Sequence, residues 1–262
     1  MNIKDKIAII SGASSGLGAA MAQLLTGKGV RVYGLARNKQ KLNALKERLG
    51  ERFTPIPLDI SVEAKVQQWV KSTFSDTHVP DILINNAGAG YLSTFDKLTS
   101  GQWHAMINTN LNGLFYLTST VVHLMKKKDT SSHIINIGSI LGKTTTNKSA
   151  AYSATKFAIQ GFSEALGKEL RNDGIKVTCI NPGSVNTHFF EDSGIEPHEN
   201  MLDPEDIARL IVNILETPDN MLIDELTLRP LQPHKKQRLK SEPGSPVCYA
   251  NSNEVRKEFR EE

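Results

Sequence analysis

One feature constrains the fold of this chain more than any other: short apolar runs alternate with longer segments of helical spacing. The runs are Ile7 to Ile10, Val30 to Leu35, Phe53 to Leu58, Ile82 to Ile84, His133 to Ile137, Ile175 to Ile180 and Leu222 to Leu228. The first six are mostly apolar on both alternating faces. They lack the polar side of a half-exposed antiparallel strand, and so predict parallel strands covered on both sides. Amphipathic helices are predicted between them, over Leu17 to Lys28, Lys39 to Leu49, Val62 to Phe74, Gln102 to Lys127, Ala151 to Asn172 and Pro204 to Leu215. Asp203 before Pro204 reads as a cap followed by a first-turn proline. Repeated β–α–β units with right-handed crossovers predict an α/β fold. Its centre is a doubly wound parallel sheet of about seven strands with helices on both faces, in a single domain.

Composition narrows the class further. A formal net charge of +3 gives no basis for a nucleic-acid or membrane partner. No apolar run reaches the ~20 residues needed to span a bilayer, and no cleavable apolar segment precedes the first strand. The two cysteines, Cys179 and Cys248, are far apart and in no metal-ligand spacing. A cytoplasmic protein without a disulfide framework is expected. Residues 1–230 read as the catalytic domain. Residues 231–262 are rich in Lys, Arg, Glu, Pro and Ser. They read as a polar, flexible tail, with a docking arm onto a neighbouring subunit as the lesser reading.

Between the first strand and the first helix lies Ser11-Gly12-Ala13-Ser14-Ser15-Gly16-Leu17-Gly18. A strand turning tightly into a helix aims backbone N–H groups and the positive helix end at one spot, which suits a pyrophosphate. Gly12 permits the turn, Gly16 lets backbone approach the ligand, and Gly18 lets helix and sheet pack closely. Ser14 and Ser15 offer hydroxyls to phosphate oxygens. No Gly-Lys-Ser/Thr ending follows, which disfavours a P-loop nucleotidase. The second strand ends in Ala36-Arg37. An acidic residue at this point would accept hydrogen bonds from a ribose 2′-hydroxyl. Ala36 removes that carboxylate, and Arg37 supplies a planar cation for a 2′-phosphate, so NADP(H) is expected over NAD(H).

Ser139 follows the fifth strand, and Tyr152 and Lys156 follow it four residues apart on a helix. That spacing places both on one helix face. A phenol with a pKa of about 10 is a poor acid–base catalyst at neutral pH, and a nearby ammonium is expected to lower that value. Tyr152 can then exchange a proton with a carbonyl or alcohol oxygen that Ser139 holds in line.

These motifs, in this order, resemble the short-chain dehydrogenase/reductase family in its core one-domain form, over about residues 3–230. Gly12, Gly16 and Gly18 match its glycine spacing, Asn85-Asn86-Ala87-Gly88 its segment after the fourth strand, and Asn110 its helix asparagine. Ser139, Tyr152 and Lys156 match its catalytic set, and Asn181-Pro182-Gly183-Ser184-Val185-Asn186-Thr187 its motif after the sixth strand. The resemblance implies a Rossmann-like fold and further roles. Leu17 belongs to the dinucleotide-binding turn. Asp59 and Ile60 border the adenine, and Asn86, Ala87 and Gly88 line the cofactor groove. Asn110 holds a water in a proton relay to Lys156, which also grips the nicotinamide ribose. Pro182, Gly183, Val185 and Thr187 flank the nicotinamide. Two departures stand out: Ser11 replaces a usual Thr while keeping the hydroxyl, and Gly138 replaces a frequent Ser or Ala and is expected to loosen the strand end.

The segment after Thr187 contains Phe189, Phe190, Ile195 and Met201, which with Tyr91, Ile140, Leu141 and Thr144 are candidates for an apolar substrate wall. The implied partner is a small-molecule carbonyl or alcohol substrate. Apolar surface left on the helices of 102–127 and 151–172 predicts a homodimer or homotetramer. A non-catalytic dinucleotide sensor of the same fold is the alternative, disfavoured because it needs no acid–base group. A methyltransferase is disfavoured by the Tyr-x-x-x-Lys placement and by Arg37.

Overall fold

The computed structural model describes residues 1–187, 189 and 198–231. The tail of 232–262 therefore lies outside the described residues. Seven parallel strands form one sheet in the order β3-β2-β1-β4-β5-β6-β7. They are β1 (Ile7–Ser11), β2 (Arg31–Ala36), β3 (Phe53–Pro57), β4 (Ile82–Asn85), β5 (Ser132–Ile137), β6 (Ile175–Pro182) and β7 (Glu225–Leu228). The order reverses between β1 and β4, where two parallel strands part to opposite sides and leave a crevice at their carboxyl ends.

The strands β1, β4, β5 and β6 are buried along their whole length, as continuous apolar runs should be. On one face α1 (Gly16–Gly27), α2 (Lys39–Leu49) and the last helix, which runs over Pro204–Leu215, cover Ala8, Ile10, Val32 and Ile84. On the other, α3 (Glu63–Thr73) and the helices over Leu114–Met125 and Ala150–Leu170 cover Ile9, Leu83 and Ile134. Among the described residues, no helix is long and apolar enough to cross a membrane.

The helix expected over 102–127 and the last of the predicted strands differ most from the sequence reading. The helix expected from Gln102 begins at Ser100, where Thr99 and Gln102 form a reciprocal capping box. It is then divided: α4 (Ser100–Met106), a wider π turn over Ile107–Gly113, and α5 (Leu114–Met125). The next helix, α6, covers Ala150–Leu170, and Pro204–Leu215 is α7. β7 starts at Glu225 rather than Leu222, and just before it the Thr178 hydroxyl donates to the Ile223 carbonyl at 2.6 Å.

Candidate active site

The glycine turn is held by its surroundings rather than by its own side chains. Gly12 and Gly16 adopt φ of +68° and +52°, the left-handed region that favours glycine. The Ser11 hydroxyl accepts from the N–H groups of Asn86 and Ala87, both at 3.1 Å. The hydroxyl kept at position 11 thus ties β1 to the segment after β4. Asn86 Nδ2 donates to the carbonyls of Ser11 (3.0 Å) and Gly12 (3.2 Å), so its amide supports the turn from below. A Cβ on Gly18 would overlap the Gly12 carbonyl oxygen. The tight turn at Gly12 and the close packing at Gly18 are thus both present.

The N-terminus of α1 carries no acidic residue in its first turn, and Ser15 at its cap makes no side-chain capping bond. Its leading N–H groups and the positive end of the helix dipole are left for an anion. This positive end fits the pyrophosphate of a dinucleotide. Ser14, Ser15 and Gly16 also line a pocket with Lys41, Leu45 and Arg48 of α2. Lys41 and Arg48 were not singled out in the sequence. Their spacing of seven on one helix was the available signal, but surface cations at that spacing are common.

Arg37 is exposed at the end of β2. It lies near Asp59, whose carboxyl titrates below its usual range. Burial alone would raise that value, and hydrogen bonds from Ser61 with the charges of Arg37 and Lys65 outweigh it. The side chain of Ile60 is buried and packs against Gly113. It therefore shapes the floor between β3 and the π turn.

Across the crevice, Ser139, Tyr152 and Lys156 converge, each less than a tenth exposed. The φ of Ser139 is extended, and its hydroxyl caps a short 3-10 turn over Ile140–Gly142. Lys156 Nζ donates to the Ile137 carbonyl at 2.9 Å. It sits 5.6 Å from the centre of the Tyr152 ring, over the face rather than at the hydroxyl. The expected lowering of the phenol's pKa is therefore not observed in this arrangement. Burial pushes Tyr152 up, only partly offset by its hydrogen bond with Ser139. Burial also brings Lys156 down to about 8. Desolvation dominates both groups because the ammonium is spent on a backbone carbonyl instead of the phenolic oxygen.

The π turn aims Asn110 inward, where it is fully buried. Its amide bonds the backbone of Ala89 in both directions, at 2.8 and 2.9 Å, and donates to Thr155 Oγ1 at 3.0 Å. Gly88 lies between Asn110 and Lys156, within 4 Å of both from its Cβ position. After β6, Pro182, Gly183 and Val185 lead the chain back across the crevice. Gly183 N–H bonds the Leu228 carbonyl at 2.7 Å, and Val185 pairs with Leu202. Thr187 ends this arm against Gly16.

Phe189 packs against Tyr152 at a tilt, with ring centres 5.8 Å apart, and fills the notch left by Gly90. Ala89, Tyr91, Leu98, Leu141 and Met106 complete an apolar cluster there. His188, Phe190 and Ile195 lie outside the described residues. The expectation that Gly138 loosens the end of β5 is overturned. The space that a larger residue would occupy is filled by the buried Asn181 side chain.

A switch-point crevice with a glycine turn on one wall and a buried Ser–Tyr–Lys set on the other defines a dinucleotide-dependent α/β enzyme. Residues 6–197 match the short chain dehydrogenase family, and the chain belongs to it; it is an oxidoreductase of that family. An uncharacterized oxidoreductase of Staphylococcus epidermidis is 34% identical over 230 residues, covering 87% of this chain and 99% of that one. A counterpart from Staphylococcus aureus is 35% identical over 231 residues, covering 87% and 99%. Among solved structures, the closed form of serine dehydrogenase complexed with NADP+ aligns with a TM-score of 0.80 at 29% identity, covering 84% and 93%. The 3-ketoacyl-(acyl-carrier-protein) reductase from Brucella melitensis complexed with NADH gives 0.80 at 26%, covering 87% and 98%.

Proposed function

We propose that the protein is an NADP(H)-dependent oxidoreductase that reduces a small carbonyl compound to a secondary alcohol, with Tyr152 as the acid/base residue. The observation that carries this reading is the buried Tyr152 hydroxyl, partnered by Ser139, in a fold that also leaves the N-terminus of α1 without a side-chain cap at the carboxyl end of β1. The nicotinamide supplies or accepts the hydride when bound. The chain's own residues do the rest. Tyr152 Oη, kept protonated by burial, donates its proton to the carbonyl oxygen, and the Ser139 hydroxyl holds that oxygen in place. Lys156, titrating at about 8, keeps most of its charge at neutral pH and grips the ribose. Tyr152, left as the phenolate, regains its proton from solvent, and Asn110, which anchors the loop after β4, holds the water of a relay that reaches Lys156 on that path.

Cofactor choice rests on charge. Ala36 leaves room for a 2′-phosphate, and Arg37 is free in solvent to bind it. Lys41 and Arg48 add positive charge beside Ser14 and Ser15. The serine dehydrogenase neighbour carries NADP+ and the ketoacyl reductase NADH, so the support for NADP(H) comes from the basic rim rather than from the likeness. The glycine turn with Leu17 and Gly18, the Asp59–Ile60 and Asn86–Gly88 segments, and the arm of Pro182, Gly183, Val185 and Thr187 complete the dinucleotide site. Phe189, Leu141 and Tyr91 form an apolar rim around the phenol, which suits a substrate with an apolar flank on the carbonyl. Phe115 and Phe157 are 52% and 45% exposed on α5 and α6, which supports self-association of those helices. A monomeric mass by light scattering at micromolar concentration would overturn that assembly.

The test is NADPH oxidation over a panel of aldehydes and ketones, with Tyr152→Phe beside the wild type. Turnover should fall by about 10²- to 10⁴-fold in the variant, the usual contribution of a positioned acid, while NADPH binding stays intact. Equal rates for the two proteins would remove Tyr152 from the chemistry.

A further inference from the structure

The Ser139 loop is fastened by a ring of polar side chains that neither the glycine turn nor the Ser–Tyr–Lys set accounts for. At the end of β5 the ladder still serves Gly138, whose N–H bonds the Ile180 carbonyl at 2.7 Å. The next N–H, that of Ser139, turns away from the ladder and donates to Asn181 Oδ1 at 3.2 Å. Asn181 is fully buried at the end of β6. Its Nδ2 donates to Gln160 Oε1 at 2.8 Å, and Gln160 Nε2 donates to Glu225 Oε2, also at 2.8 Å. That same carboxylate oxygen receives Lys143 Nζ at 2.6 Å. Lys143 directly follows the 3-10 turn that the Ser139 hydroxyl caps. The ring therefore closes: the segment of 139–143 is gripped at its first residue by Asn181 and at its last by Glu225, and Gln160 joins the two grips.

Sterics make the arrangement specific. A Cβ at position 138 would overlap Asn181 Oδ1 and lie 3.1 Å from Cys179 Sγ. Asn181 can occupy its seat only because residue 138 is glycine. Its two amide atoms are both satisfied in opposite directions, so the side chain has one orientation. A buried amide with both ends fixed is a rigid support, and rigid support is what a hydroxyl acting on a reacting oxygen needs.

We infer that Asn181, seated by Gly138 and backed by Gln160 and Glu225, is a positioning residue that sets the Ser139 hydroxyl against Tyr152. This rests on the proposed role of Ser139. Asn181 touches no substrate. It acts by fixing the backbone N–H of the residue that does, and by making Gly138 and Asn181 a matched pair.

The experiment compares Asn181→Ala, Gly138→Ala and the double variant in three measurements: kcat for NADPH-dependent carbonyl reduction, Kd for NADPH, and amide hydrogen exchange at Ser139. Each single variant should lower kcat by about tenfold to a hundredfold, the scale of an ångström-sized displacement of a reacting group, with Kd for NADPH unchanged. Ser139 exchange should speed up in Asn181→Ala. The double variant should be no worse than the poorer single one, because removing Asn181 removes the atom that the new methyl group would strike. A folded Asn181→Ala with wild-type kcat, unaltered exchange at Ser139, or single losses that multiply in the double variant would each overturn the inference. If Asn181→Ala does not fold, Gln160→Ala carries the test: a smaller fall in kcat at constant Kd is expected, and wild-type kcat refutes the ring. A wild type without Tyr152-dependent turnover would sink the reading of the site itself, a result distinct from any of these.

Discussion

The two walls of the crevice are built in different ways. The wall at the end of β1 is made of backbone: two left-handed glycines, a third packed on a carbonyl, and a helix end with no side-chain cap. The wall at the ends of β5 and β6 is made of buried side chains, with Ser139, Tyr152, Lys156, Asn110 and Asn181 each held by a neighbour. A wall of backbone recognises charge and shape that every dinucleotide shares. A wall of buried side chains is suited to placing individual protons. On the proposed reading, binding and chemistry fail separately, Lys156 apart because it also grips the ribose: damage to the first wall should appear in Kd, and damage to Ser139, Tyr152, Asn110 or Asn181 in kcat.

The sharpest way to break that division is Gly18→Ala. The added methyl overlaps the Gly12 carbonyl and crowds Asn86. It should cost about 1–3 kcal/mol of stability through overpacking and abolish measurable NADPH binding in a fluorescence titration. A folded variant with near-native affinity would show that the turn tolerates more than its geometry implies. A smaller effect is expected from Arg37→Ala, since one charge-assisted contact is worth about 1.5–3 kcal/mol, or roughly ten- to a hundredfold in affinity. That loss should fall on NADPH and spare NADH. Equal weakening of both by calorimetry would mean Arg37 does not read the 2′-phosphate.

The least effect on the site is expected from a variant at the far end of the sheet, which serves as the control. His133 is buried on β5, donates from Nε2 to Thr178 Oγ1, and has its pKa lowered to about 3 by burial and by the charge of Lys176. Thr178 spends its own proton on the Ile223 carbonyl, which fixes the histidine as the Nε2–H tautomer. Between pH 6.5 and about 3 the unfolded chain binds a proton there that the folded protein refuses, so stability falls as pH drops through this window. On moving from pH 7 to pH 5 the loss from this group should be about 2 kcal/mol. Urea melts of His133→Asn should show a correspondingly shallower pH slope, with kcat and Kd for NADPH unchanged at pH 7. A slope equal to that of the wild type would remove His133 from the acid response.

Much of this was legible in the chain. The apolar runs marked the strands because a parallel sheet covered on both faces has no polar positions to disguise it. The helix over Lys39–Leu49 and that over Pro204–Leu215 were legible to the residue, because Asn38 and Asp203 cap them with side-chain bonds. The glycine turn was legible because left-handed φ and close backbone approach leave few other residues available. Other features were not. The π turn at Ile107–Gly113 has no composition of its own, since it depends on where Asn110 must point. Lys41 and Arg48 resembled any solvated helix face. Gly138 reads in the sequence as a loosening because the Asn181 side chain that fills its space lies 43 positions further along the chain.

The sequence by itself determined the class of fold, the order of the strands' apolar runs and the backbone-built turn. Each of these depends on periodicity or on a residue's intrinsic conformational range, and both are local properties. Only the tertiary structure decided which way the Lys156 ammonium points, that burial rather than its charge governs the Tyr152 phenol, and that Asn181 takes the Ser139 N–H. Those outcomes depend on which groups compete for the same buried donor or acceptor, and the competitors meet only when distant strands lie side by side.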